Sequence, residues 1–327
     1  MESYPITFRI GKRWTVWWDG DVSITLPETF LAYAARGPDF AGWLDRLPGL
    51  LRDLIAEWEL VVDGDPGHGH CAVVVPVRTA SGRPAVLKVG WPHWEAEHEH
   101  LALQHWHGRG AVQLLRADPR RFALLLERLH REDLSPLWDV EACEVVAGLY
   151  ERLHVPAPPQ LRALSSCVRR WSAELAALPR DAPLPRRLVE QAVAIGRALA
   201  ADDATDGRLI HTDLHYENVL AGDREPWLAI DPKPLSGDPH YEVAPMLWNR
   251  WDELASAPRG VRDGLRLRFH TLVDVAGLDE RRARDVVVLR MLCNALWRLQ
   301  DRSDARRVTP TDEYLTRCVT VAKSVQD

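Results

Sequence analysis

The stretch LIHTDLHYENVL, residues 209–220, sets His211, Asp213 and Asn218 in the pattern H-x-D-x-x-x-x-N between apolar flanks that can anchor a loop. Phosphoryl transfer to a hydroxyl needs a carboxylate that orients the alcohol and accepts its proton as the new bond forms. It also needs an amide oxygen nearby to help hold a divalent cation. Asp213 suits the first task and Asn218 the second. Farther along, WLAIDPKP is an apolar run that delivers Asp231, a carboxylate suited to the metal bridging nucleotide phosphates. Upstream, PAVLKVGWP puts Lys88 in the middle of a strand-like run. Alone, such a lysine reads as an edge residue in solvent; beside the other two motifs it suits a fixed ammonium on the α- and β-phosphates. That ammonium needs a carboxylate partner. The next segment offers Glu95, Glu97 and Glu99; Glu99 is the first choice and Glu95 the second, the two spaced i, i+4 with Leu103 and Trp106 extending the same face. RFALLLERLHRED turns polar where a connector is expected, so backbone groups from Glu127 to Leu129 are candidates for the edge of a nucleotide base.

The elements that must hold these residues are legible in outline. Residues 4–18 alternate around Gly11-Lys12, which predicts a hairpin. Residues 28–58 carry apolar positions at helical spacing. Strand-like runs at Leu60 to Val62, Cys71 to Val77 and Ala85 to Val89 are separated by the turn-rich DGDPGHGH and RTASGRP. A helix is expected over 93–107, then strands near 112–115 and 122–127. Beyond about residue 133 the pattern is helical, over roughly 139–154, 161–178, 185–203, 240–256, 259–276, 279–302 and 309–325. The island 209–235 interrupts that run. No internal repeat or low-complexity tract is present.

Composition narrows the partners. Across 327 residues the net charge is −6 at pH 7, which leaves no broad basic field for nucleic acid. Five scattered cysteines without C-x-x-C argue against a disulfide framework or a cysteine zinc site. No signal-peptide pattern opens the chain and no apolar run approaches the ~18 residues of a membrane span, so a cytoplasmic protein is expected. The histidine-rich PHWEAEHEHLALQHWH invites a zinc reading, but Ala102 stands where H-E-x-x-H needs its second histidine. His215, beside Asp213, suits either a contact to phosphate or substrate or a local hydrogen bond.

Together with AVLKVGWP, the E-H-L-A-L helix, W-H-G-R-G-A-V-Q-L-L, LLLERL and AIDPKPLSGDPHYEVAPMLWNR, these motifs resemble the aminoglycoside phosphotransferases. They are most similar to the branch with aminoglycoside 6-phosphotransferases and hydroxyurea phosphotransferases, over about residues 26–320. The resemblance implies an α+β, bilobal protein-kinase-like fold: a sheet-rich N-lobe over 1–127, a hinge at 128–132 and a helical C-lobe over 133–327. It implies ATP and Mg2+ as cofactors, Asp213 as base, Asn218 and Asp231 on magnesium, and Lys88 on phosphate. The sequence departs from the pattern in three places. No G-x-G-x-x-G is present, DGDPGHGH standing in its place; Glu242 replaces a usual aspartate; and the 4–18 hairpin lies outside the shared part.

The expected reaction is O-phosphorylation of an antibiotic-like small molecule such as streptomycin. Hydroxyurea, a nucleoside antibiotic and an amino-sugar or choline-like metabolite are the alternatives, and a nucleotide-binding pseudokinase is a further one. The complete set Lys88, Asp213, Asn218 and Asp231 argues against the last. A cationic acceptor would find acidic and indole groups at Asp238, Trp248, Asp252 and Glu253. In a continuous 240–256 helix, Trp248 and Asp252 share one face and Asn249 and Glu253 another.

Overall fold

The structure is a computed structural model that describes the backbone of residues 8–10, 13–18, 22–300 and 312–326, and side chains from residue 24 onward within them. The chain forms two compact units, Met1–His100 with Gln113–Arg128, and Leu101–Val112 with Leu129–Asp327. The expected single cut near residue 128 is therefore not the whole division. Residues 101–112 belong with the helical unit because Trp106 Nε1 donates to the Leu153 carbonyl at 2.8 Å and Val112 N–H to Ala229 O at 2.9 Å.

In the first unit, β1 (Phe8–Ile10), β2 (Arg13–Trp18) and β3 (Val22–Thr25) form a three-stranded antiparallel sheet. The ends of the expected hairpin, residues 4–7 and its turn 11–12, lie outside the described residues. The single helix expected over 28–58 is two: α1 (Glu28–Leu31), continued by a 3-10 turn, and α2 (Pro38–Glu57). The break falls at Gly37, whose φ of 146° is open to glycine and strained for other residues. A six-stranded antiparallel sheet follows: β4 (Val61–Val62), β5 (Gly67–His68), β6 (Ala72–Arg78), β7 (Pro84–Gly90), β8 (Leu114–Asp118) and β9 (Ala123–Glu127). Its order is β4-β6-β7-β9-β8, with β5 also on β6. Strand β5 lies inside DGDPGHGH, which reads only as turn from its glycines. The period of two sends Val73, Val75, Val77, Leu87 and Val89 into one core with Phe40, Trp43, Leu47, Leu51 and Leu54 of α2. Lys88 therefore faces the other side of the sheet.

The expected 93–107 helix begins only at Glu99, as α3 (Glu99–Trp106), after a run of turns. Glu95 thus has no helical register with Glu99.

The second unit is built from α4 (Asp139–Leu153), α5 (Leu164–Ala176), α6 (Arg186–Ala200), α7 (Val243–Trp248), α8 (Trp251–Ser256), α9 (Gly260–Ala276), α10 (Glu280–Gln300) and α11 (Glu313–Ser324). Residues 301–311, which include the start of the last expected helix, lie outside the described residues. Helix α10 is buried without interruption from Val286 to Leu296, the signature of a helix enclosed on all sides, and it packs against α6, α7 and α11. The island between α6 and α7 folds into two small antiparallel ladders. Strand β10 (Arg208–Ile210) pairs with β13 (Leu235–Gly237), and β11 (Val219–Ala221) pairs with β12 (Trp227–Ala229).

Candidate active site

The two ladders fix both ends of the loop 211–218 and both ends of the turn that carries Asp231. His211 is fully buried and stacks on Trp106 with centroids 6.2 Å apart. Its Nε2 donates to Ile230 O at 2.8 Å and its Nδ1 accepts from Asp213 N–H at 3.3 Å, so it ties the loop to the strand before Asp231. Burial pushes the imidazole down to about 4, which keeps it neutral and the tautomer single. His215 caps Glu217 N–H and lies 3.2 Å from Asn218 Nδ2, which favours its local, loop-holding role. Burial lowers its pKa too.

Asp213 and Asn218 are in contact. Asn218 Nδ2 donates to the Asp213 carbonyl at 2.8 Å and lies 3.5 Å from its Oδ2. With the amide nitrogen so committed, the amide oxygen is the atom left to meet a cation. Asp231, about half exposed, adds a carboxylate. Two hard oxygen donors, one of them on a half-exposed carboxylate, fit magnesium, which is seldom caged by protein alone.

The backbone here is strained. Thr212 has φ of 67° and Asp231 of 56°, the left-handed region that β-branched residues avoid. Glu242 Oε1 accepts from the N–H groups of both His211 and Thr212, the latter at 3.0 Å. Thr212 Oγ1 donates to Lys233 O at 2.7 Å and Lys233 N–H to His211 O at 3.0 Å. Glu242 is fully buried, and desolvation raises its carboxyl to about 7.

In the first unit, Lys88 Nζ donates to Glu99 Oε1 at 2.6 Å in a buried pair. Among the glutamates that the following segment offers this lysine, the structure brings Glu99 to it. At the end of β9, Glu127 N–H is committed to Gln113 O at 3.0 Å and its carboxylate accepts from Gln113 N–H at 2.7 Å. Leu129 follows at the start of the next unit.

The sequence profile of the family described as aminoglycoside/hydroxyurea antibiotic resistance kinase matches residues 57–302. The chain is 41% identical to a streptomycin 6-kinase of Streptomyces glaucescens over 86% of its own length and 93% of that protein. It is also 41% identical to a hydroxyurea phosphotransferase of Kitasatospora aureofaciens, over 86% of its length and 81% of that protein. The chain belongs to the aminoglycoside/hydroxyurea antibiotic resistance kinases. Its fold is protein-kinase-like: an amicoumacin kinase solved in complex with AMP-PNP, Ca2+ and Ami superposes with a TM-score of 0.56 at 12% identity, over 84% of this chain and 92% of that one. The protein is accordingly a small-molecule phosphotransferase of a nucleotide-binding family.

The acceptor residues expected on this kinase fare unevenly. The 240–256 helix is interrupted: a 3-10 turn over Pro239–Glu242 leads into α7, and the chain breaks at Asn249 and Arg250 before α8. Arg250 sits at φ of 52°, held by Leu137 O at 2.8 Å and by the Glu253 carboxylate. The helical registers Trp248–Asp252 and Asn249–Glu253 therefore do not exist. Asp238 is buried against His240 and Arg282, so its charge is spent inside the fold. Glu253 is engaged with Arg250, and the Trp248 ring lies 5.6 Å from the Arg290 guanidinium. Asp252 remains almost fully exposed. Two residues that matter were missed. In the sequence Glu242 stands out only as a departure from the usual aspartate, and Lys233 only as a letter of IDPKP. The proline on each side of Lys233 was the available signal, since it restricts that short segment on both sides.

Proposed function

We propose that this kinase transfers the γ-phosphoryl group of ATP to a hydroxyl of an aminoglycoside, with streptomycin as the acceptor. The observation that carries the acceptor is the 41% identity that spans 93% of a streptomycin 6-kinase. Asp213 serves as the base, taking the acceptor proton. Asn218 and Asp231 would hold magnesium, which when bound neutralises phosphate charge. Lys88, oriented by Glu99, contacts nucleotide phosphate. Leu129 supplies a backbone contact to adenine, because the Glu127 N–H is already used. The unit of Met1–His100 with Gln113–Arg128 acts as the nucleotide lobe and the unit of Leu101–Val112 with Leu129–Asp327 as the acceptor lobe. A hydroxyurea acceptor is the second reading, favoured by equal identity to a hydroxyurea phosphotransferase. The experiment is ADP release from purified protein with Mg-ATP and streptomycin or hydroxyurea, with the product mass measured. A phosphorylated streptomycin with no hydroxyurea product supports the first reading. The converse selects the second, and release with neither removes both acceptors.

A further inference from the structure

We propose that Lys233 is a catalytic residue whose ammonium contacts the transferring phosphoryl group. The proposal rests on the reading of Asp213 as base and Asp231 as metal carboxylate. Lys233 Nζ donates to Asp213 Oδ2 and lies 3.6 Å from Asp231 Oδ2. One cation therefore spans the carboxylate that receives the acceptor's proton and the carboxylate on the nucleotide-phosphate side. The γ-phosphoryl group travels between those two places.

The position of the ammonium is set by the backbone. Lys233 N–H and C=O are both hydrogen-bonded to the base-bearing loop, at His211 O and Thr212 Oγ1. Pro232 and Pro234 restrict the chain on either side. The side chain is only 26% exposed, so it is presented from a fixed, half-buried stem. In the reaction the acceptor oxygen bonds to the γ-phosphorus, its proton passes to Asp213, and the bond from phosphorus to the β-bridging oxygen breaks, with its electron pair leaving on ADP. Lys233 keeps its proton throughout. Its charge faces the equatorial phosphoryl oxygens, where a fixed cation contributes most in the transition state.

The test compares wild type with Lys233→Ala, Lys233→Arg and Asp213→Asn, using Mg-ATP with whichever of streptomycin or hydroxyurea is turned over, and slow Mg-ATP hydrolysis if neither is. Removing one such charge-stabilising group is expected to lower kcat about 10²- to 10³-fold, with both KM values within about threefold. Lys233→Arg should recover part of the loss. Added methylammonium or ethylammonium should rescue Lys233→Ala saturably, which a purely structural role would not allow. The backbone bonds that hold the loop do not use the side chain, so thermal stability should be preserved. A kcat within about threefold of wild type overturns the proposal. So does a loss confined to KM, or a loss that neither arginine nor amines relieve. An active Asp213→Asn would instead defeat the underlying assignment of the base, whatever the lysine variants do.

Discussion

At the residue scale, the loop before the base is held in a conformation its sequence disfavours. A threonine with φ of 67° costs about 1–3 kcal/mol. The Glu242 carboxylate, accepting two successive N–H groups, together with the Thr212–Lys233 bond, offsets that cost. The strain matters because it sets the direction in which Asp213 leaves the loop. Asp213→Asn keeps the shape and removes the proton acceptor, so turnover should fall about 10²- to 10⁴-fold while nucleotide binding survives. Steady-state kinetics beside nucleotide titration checks this, and near-normal turnover would take the role from Asp213. Glu242 yields a pH prediction. Its carboxyl is raised in the fold to about 7 from an ordinary 4.5, so the folded state holds the proton more tightly. The resulting stability is fully present below pH 4.5 and is lost as pH rises through 7, a total of roughly 3 kcal/mol. Two buried histidines act in the opposite sense. His154, lowered to about 3, and His211, lowered to about 4, lose stability as pH falls below their ordinary 6.5. Glu242→Gln keeps an oxygen for the two N–H groups and removes only the carboxyl titration. Between pH 5 and 8 the urea midpoint of this variant should therefore gain on that of wild type as pH rises, the histidines acting alike in both. Parallel midpoints would mean that Glu242 does not titrate there.

At the element scale, helix packing rests on a close approach that only a glycine permits. Gly196 on α6 faces Ser172 on α5, and a Cβ there would stand 2.0 Å from Ser172 Oγ, 3.2 Å from its Cβ and 3.3 Å from Leu289 on α10. Ser172 Oγ is itself used, donating to Val168 O at 2.7 Å in the buried interface. Helix propensity alone would make Gly196→Ala a gain of about 1 kcal/mol. Overpacking costs typically 1–3 kcal/mol, and here the encroached side chain is buried and bonded, so the variant should lose about 1 kcal/mol net. Urea unfolding reads the sign directly. The long amphipathic helices α4, α5, α6 and α9 were legible in the sequence, because a buried stripe at helical spacing is a local signal. The motif residues were legible for a similar reason, since Asp213 and Asn218 lie five apart on one loop. The interruptions were not. Arg250 leaves the helical region because Leu137 O and the Asp139 and Glu253 carboxylates hold its guanidinium, partners partly from a distant element. The turns before Glu99 sit in a segment whose composition reads as helix throughout. The role of Lys233 needed the Asp213–Asp231 proximity, which is a tertiary fact.

At the scale of the whole molecule, charge and ligand linkage make the cofactor reading testable without an acceptor. The chain carries a net charge of −6, and a nucleotide triphosphate is itself an anion. In the proposed reading its binding is supported locally by Lys88 and by a divalent cation rather than by the general field. The same negative balance favours a cationic acceptor such as streptomycin. Raising ionic strength should accordingly lower kcat/KM for streptomycin more than for neutral hydroxyurea, since screening shortens the reach of the field to about 8 Å at physiological salt. Equal salt dependence for the two would remove the cationic-acceptor argument. The metal assignment gives the sharper test. A ligand that binds only the folded state stabilises it by about 2.7 kcal/mol at a hundredfold excess over Kd. For a domain of roughly 200 residues that raises Tm by about 5 °C or more. With Asn218 and Asp231 as the proposed protein ligands of magnesium, its remaining positions would belong to phosphate and water. Magnesium alone should then shift Tm little, ATP in EDTA should shift it partially, and the two together should give the full rise. Asp231→Ala should lose the magnesium-dependent part of the rise, measured from the variant's own Tm without ligand. An undiminished rise in that variant would place the cation on other ligands and with it undo the role given to Asp231.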